Sequence, residues 1–155
     1  MSAFGGKADM TWTGRGADDL LLLKTVDMSF DDAVMSTKEA LKRHNFRVLT
    51  EIDMKDNFKK GLNVDFRPYL ILGVCNPELS YRALQAEDKI GTMLPCNVVL
   101  QQQEDGHVEV SAIDPVASMQ AITHVTVDQI AQEMRSHLQH VIDEVGNATE
   151  SAGAS

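Results

Sequence analysis

Tyr69-Leu70-Ile71-Leu72-Gly73-Val74-Cys75, followed at once by Asn76-Pro77, is the stretch that decides how this chain is built. Alternate side chains of a strand point to opposite faces. Tyr69, Ile71, Gly73 and Cys75 therefore share one face, and Leu70, Leu72 and Val74 share the other. Both faces are apolar, which predicts a central strand covered on both sides. Asn76 then reads as a helix N-cap and Pro77 as the first helical residue, with Glu78 in the first turn. The helix continues through Tyr81, Leu84 and Gln85, so a buried strand feeds directly into a helix.

Weaker but consistent signals flank this unit. Residues 20–26 form an apolar run that fits a first strand. Ser29 and Asp32 open a helix as a capping box, and Phe30, Ala33, Val34, Thr37 and Leu41 follow at helical spacing. Lys42, Arg43 and His44 suit the negative end of its dipole. Phe46, Val48, Thr50, Ile52 and Met54 alternate with mostly polar residues, which predicts a second strand with one buried face. Residues 56–62 read as a short helical turn closing at Gly61 or Asn63. Downstream, residues 96–103 and 107–114 are expected to form a hairpin around a two-residue Asp105-Gly106 turn. Thr126 caps the last helix, Gln129 completes its box, and Val127, Ile130, Met134, Leu138, Val141 and Val145 form an apolar stripe about five turns long. The order β-α-β-β-α-β-β-α predicts a single α+β domain, a sheet with helices packed on it.

The chain has 155 residues, with 14 Lys and Arg against 23 Asp and Glu, a formal charge of −9. Most of that acidity lies within residues 20–145, so it belongs to the domain. Phosphate contacts need a basic surface, and this balance argues against nucleic acid and against anionic membranes. No apolar run approaches the roughly 20 residues of a membrane span, and the start lacks the pattern of a signal peptide, which sets a cytoplasmic expectation. Residues 1–19 and 146–155 are small and polar and read as flexible tails around a domain at 20–145. Trp12 stands out in the first tail, as an exposed residue or as one that docks on a partner subunit.

Several motifs, in order and at similar spacing, resemble one family. They are Val64-Asp65-Phe66-Arg67-Pro68-Tyr69 running on to Pro77, Ala83-Leu84-Gln85-Ala86-Glu87, Leu94-Pro95-Cys96-Asn97-Val98-Val99, and Val110-Ser111-Ala112-Ile113-Asp114-Pro115. Together they resemble the domain of unknown function 302, from about Lys24 to Val145. The resemblance implies a compact α+β fold and a homodimer, and names no substrate. Asn63 stands where that pattern has Gly.

Cys75 has the strongest physical case for chemistry. At the end of a central strand and before an N-cap, its thiol faces the positive end of a helix dipole. The alternative is a buried small hydrophobe. Cys96 begins the next strand, and two nearby thiols permit a reversible disulfide or a soft-metal site. A two-residue hairpin turn places Asn97 opposite Asp114, which can line a polar pocket with Asn76 and Arg67 or serve only as capping groups. Arg67, beside Tyr69, is the candidate anion holder, or else an ion-pair partner of Asp65 or Glu78. On the last helix, Glu133, His137, His140 and Glu144 share one flank, with His137 and His140 as weak metal candidates. No catalytic set is complete and no cofactor is expected. The leading expectation is a dimeric module that binds a small ligand or a partner protein at the sheet end near Cys75. The alternatives are a thiol-dependent redox or sulfur-handling protein and a metal-binding accessory protein.

Overall fold

The computed structural model describes residues 20–147. Both tails, Trp12 among them, lie outside the described residues. Five strands form one sheet: β1 (Leu21–Val26), β2 (Arg47–Asp53), β3 (Tyr69–Cys75), β4 (Cys96–Gln102) and β5 (Val108–Ile113). Their spatial order is β1-β5-β4-β3-β2, and every neighbouring pair is antiparallel. Strands β2 to β5 make a meander, and β1 adds to its far edge. The helices are α1 (Phe30–Arg43), α2 (Met54–Leu62), α3 (Pro77–Ala86), the short α4 (Pro115–Ser118) and α5 (Val125–Glu144), with a 3-10 turn at Asp88–Met93.

One face of the sheet carries the core. Leu22, Leu72, Val74, Val98, Leu100, Val108 and Val110 meet Leu41 of α1, Leu79 of α3 and Ile130, Met134 and Leu138 of α5 in one buried cluster. Each fully buried side chain of that size stabilises by roughly 1.5–3 kcal/mol. Helix α5 lies against both α1 and α3, because its apolar stripe is wide enough to touch both. Lys24 of β1 donates to the carbonyls of Asp143 and Val145 at 2.7 and 2.8 Å. Those carbonyls at the end of α5 lack helical partners, and the lysine supplies one.

The opposite face is largely open, which corrects the expectation that β3 is covered on both sides. A row of side chains crosses it from Leu23 through Ser111, Val99 and Ile71 to Ile52, as the strand registers set out. Among the described residues only α2 sits over this side, against β3, and none of its residues is buried.

Three local readings are also corrected. Strand β2 has no single buried face: a bulge between Val48 and Thr50 leaves Val48 beside Val74 on the core side and turns Thr50 and Ile52 to the open side. The hairpin turn has three residues, Glu104 to Gly106: the Gln103 amide donates to the His107 carbonyl at 2.8 Å, and the Gln103 carbonyl accepts from the Gly106 amide at 2.9 Å. Gly106, at φ +93°, supplies the left-handed residue of such a turn, and Val98 therefore faces Ala112. Helix α5 is capped by His124, two residues before the expected Thr126 cap: its Nδ1 accepts from the Thr126 amide at 3.2 Å. Asn63 ends α2 in the left-handed region, φ 55° and ψ 38°. Glycine reaches that conformation without strain, and Asn is among the few other residues that tolerate it.

Candidate functional site

The expected polar site divides between the two ends of β3. At the Cys75 end, the strand stops and Asn76 starts α3, accepting the Leu79 amide on Oδ1 at 3.1 Å. Pro77 at the first helical position has no N–H to satisfy and fixes φ for the turn. Asn76 is only 5 % exposed. Cys75 is half-buried, with Sγ 3.0 Å from the Ser80 hydroxyl one turn into α3. Cys96 pairs with Val74 in the ladder and faces the core, 3.4 Å from the Met134 sulfur. Burial, and then the neighbouring Cys75, push its thiol up to about 11. A thiol so far above neutral is a core group and a poor nucleophile.

Arg67 and Tyr69 stand at the start of β3, six to eight residues from Cys75, which is roughly 20–26 Å along a strand. The Arg67 guanidinium lies over the rings of Phe66 and Tyr69, 4.4 and 5.6 Å from their centroids, and Nε donates to Gln101 at 3.0 Å. Gln101 donates in turn to Glu109 at 3.2 Å. Asp65 pairs with Lys59 instead. Phe58 meets Phe66 edge-on at 5.0 Å, so this corner of the open face is an aromatic patch roofed by a cation.

Asn97 is exposed on the open face. The three-residue turn removes its pairing with Asp114, because the register moves by one. Asp114 instead caps α4, accepting from the Val116 amide at 2.9 Å, and binds Arg135 Nε at 2.8 Å. His140 stacks on His44 at 5.6 Å, and His44 donates to Glu144 at 2.7 Å. Among the described residues no group of three or more His, Cys, Asp or Glu is placed to hold a metal ion.

Sequence reasoning missed the residues that join Asn76. The β2–β3 ladder sets Arg47 directly opposite Cys75, and α1 ends just before β2 begins. A cavity of about 520 Å³ opens there, with Lys42, Arg47, Asn76, Glu78, Glu133 and His137 on its walls over Phe46 and Leu79. Glu133 is already held by Arg82 through two bonds of 3.1 and 3.0 Å, and that partner keeps its carboxyl below the ordinary value. The only readable signal for this group was the basic end of α1, which suits a helix C-terminus on its own.

An antiparallel β meander with an added edge strand, three helices on one face and a polar cavity at one sheet end defines a small α+β class. Residues 23–145 match the model of the domain of unknown function DUF302, and the chain belongs to that family. A similar fold is the crystal structure of an uncharacterized conserved DUF302 protein from Bacillus stearothermophilus. It has a TM-score of 0.76 and 24 % identity, covering 81 % of this chain and 98 % of that one. Among curated proteins no relative matches. No helix among the described residues is long and apolar enough to cross a membrane.

Proposed function

We propose that this protein is a dimeric small-ligand-binding module whose site lies at the sheet end beside Cys75. The observation that carries the reading is the cavity where β3 passes into α3, walled by the nearly buried Asn76. Pockets of a few hundred Å³ with a few convergent polar groups are the usual setting for small molecules. Its walls come from α1, β2, the start of α3 and α5, with the turn at Asn45 and Phe46 between the first two. Cys75 adjoins the site in sequence through Asn76, its thiol lies against the Ser80 hydroxyl, and it takes no catalytic role in this reading.

The dimer rests on the open face. Leu23, Ile52 and Leu62 are exposed there or on α2, and a face of this kind is costly to leave in water. Its charges are self-complementary. Arg67 sits beside β3 and Glu109 on β5, in one row on either side of β4. A two-fold axis along β4 sets each against the other, twice over.

The test is an amide-resonance titration of the purified protein with mixtures of small polar metabolites. Saturable shifts confined to Arg47 and residues 76–80 are expected. Shifts elsewhere, or none, overturn the ligand site.

A further inference from the structure

We infer that the cavity beside Asn76 takes a small oxyanion, a carboxylate or phosphate group held by Lys42, Arg47 and the start of α3; this rests on the ligand-binding reading above. Nearly every cation among the described residues of this acidic chain is engaged. Among the described residues, only Lys42, Arg47 and Lys55 make neither an ion pair nor a side-chain hydrogen bond. Two of those three line this one cavity. With 23 acids available to 14 bases, two neighbouring cations left without carboxylate partners mark a place kept for an anion from outside.

The start of α3 adds a second, independent donor set. Asn76 Oδ1 is spent on the Leu79 amide, while Nδ2 donates to no described group. That nitrogen is not sealed in the core, since no buried side-chain nitrogen or oxygen lacks a partner; it opens on the cavity that Asn76 lines. The Glu78 amide, in the first turn, also has no helical acceptor. A guanidinium, an ammonium, a carboxamide N–H and the positive end of a ten-residue helix all favour the same ligand chemistry. Acids on the walls do not cancel this. Glu133 is neutralised by Arg82, and Glu78 is exposed at the rim, where it disfavours highly charged anions and leaves room for a ligand of one or two charges.

The experiment titrates the full chain with inorganic phosphate, with succinate and with neutral glycerol at constant ionic strength, following the amides of Arg47 and residues 76–80. Phosphate or succinate is expected to shift them saturably, and the stronger of the two assigns the headgroup. Arg47→Gln and Lys42→Gln should each weaken that binding about tenfold, with unchanged far-ultraviolet circular dichroism. Shifts that scale only with ionic strength, or that survive both substitutions, overturn the oxyanion assignment. Glycerol binding without anion binding overturns it too, and leaves the ligand site standing. No response to any of the three, with none to the metabolite mixtures, overturns both.

Discussion

Asn76 has two roles on two atoms, and substitutions can part them. Asn76→Asp keeps an oxygen for the Leu79 amide, since Asp is as good an N-cap as Asn, and the helix dipole with Lys42 and Arg47 offsets the cost of its charge. Its stability should stay within about 0.5 kcal/mol of the parent. Asn76→Ala loses the cap at a position 5 % exposed, which costs about 1 kcal/mol, or about 4 °C in a domain of this size. Anion binding should rank the other way. In Asn76→Asp an acceptor oxygen replaces Nδ2 and brings a negative charge to about 4 Å from the bound anion. At an effective dielectric constant near 20 that repulsion is ~4 kcal/mol, and with half of it screened the affinity still falls at least 30-fold. Asn76→Ala loses one hydrogen bond, about 1 kcal/mol, hence five- to tenfold. Urea melts and phosphate titrations of the three proteins give both rankings. An Asp variant that binds phosphate as tightly as the parent would refute the placement of Nδ2 and with it the anion cavity.

Three further outcomes follow from other parts of the molecule. The parent should scatter light as a particle of twice 17.1 kDa, and Val99→Arg, at the centre of the open face, should give a monomer with stability changed by less than about 1 kcal/mol. One thiol of the two should react with a thiol reagent in the native state at pH 8: Cys75, since Cys96 is 4 % exposed and its thiol is pushed up to about 11. Burial raises the Glu144 carboxyl, but hydrogen bonds from His44 and Arg43 outweigh it and hold the group below its ordinary value. Such a group stabilises above the unfolded value, about pH 4.3, and that contribution disappears as pH falls through the folded value. Glu144→Gln should therefore cost about 1 kcal/mol near pH 6 and little at pH 3, as denaturant midpoints across that range will report.

The sequence carried the elements better than their joins. The alternation of Tyr69–Cys75 and the 3-4 spacing of α5 are strong local periodicities, and the Ser29 and Asn76 caps were readable because capping is chemistry within one turn. The bulge in β2 was not readable: Val48, Thr50 and Ile52 alternate perfectly, and nothing local reports the extra residue that splits them between two faces. Asp105-Gly106 fits a two-residue and a three-residue turn alike, and the choice moved Asn97 away from Asp114. The candidate site divided for the same reason. Cys75 and Asn76 adjoin in sequence, whereas Lys42 and Arg47 reach them only through the β2–β3 register, which the 15-residue gap between those strands does not fix. Grouping Arg67 with Cys75 was an error of length, since a strand separates what it contains.

Strand β1 has a consequence for how the molecule assembles. Its partner β5 lies more than eighty residues downstream, from Val26 with Val108 to Leu21 with Ile113, whereas β4 and β5 meet across three loop residues. Closing so long a loop costs entropy that the edge pairing alone repays late. The meander from β2 to β5 therefore leads in folding, and β1 with the Lys24 clamp onto α5 locks it afterwards. A nascent chain must carry its first strand without its partner until the last one has emerged.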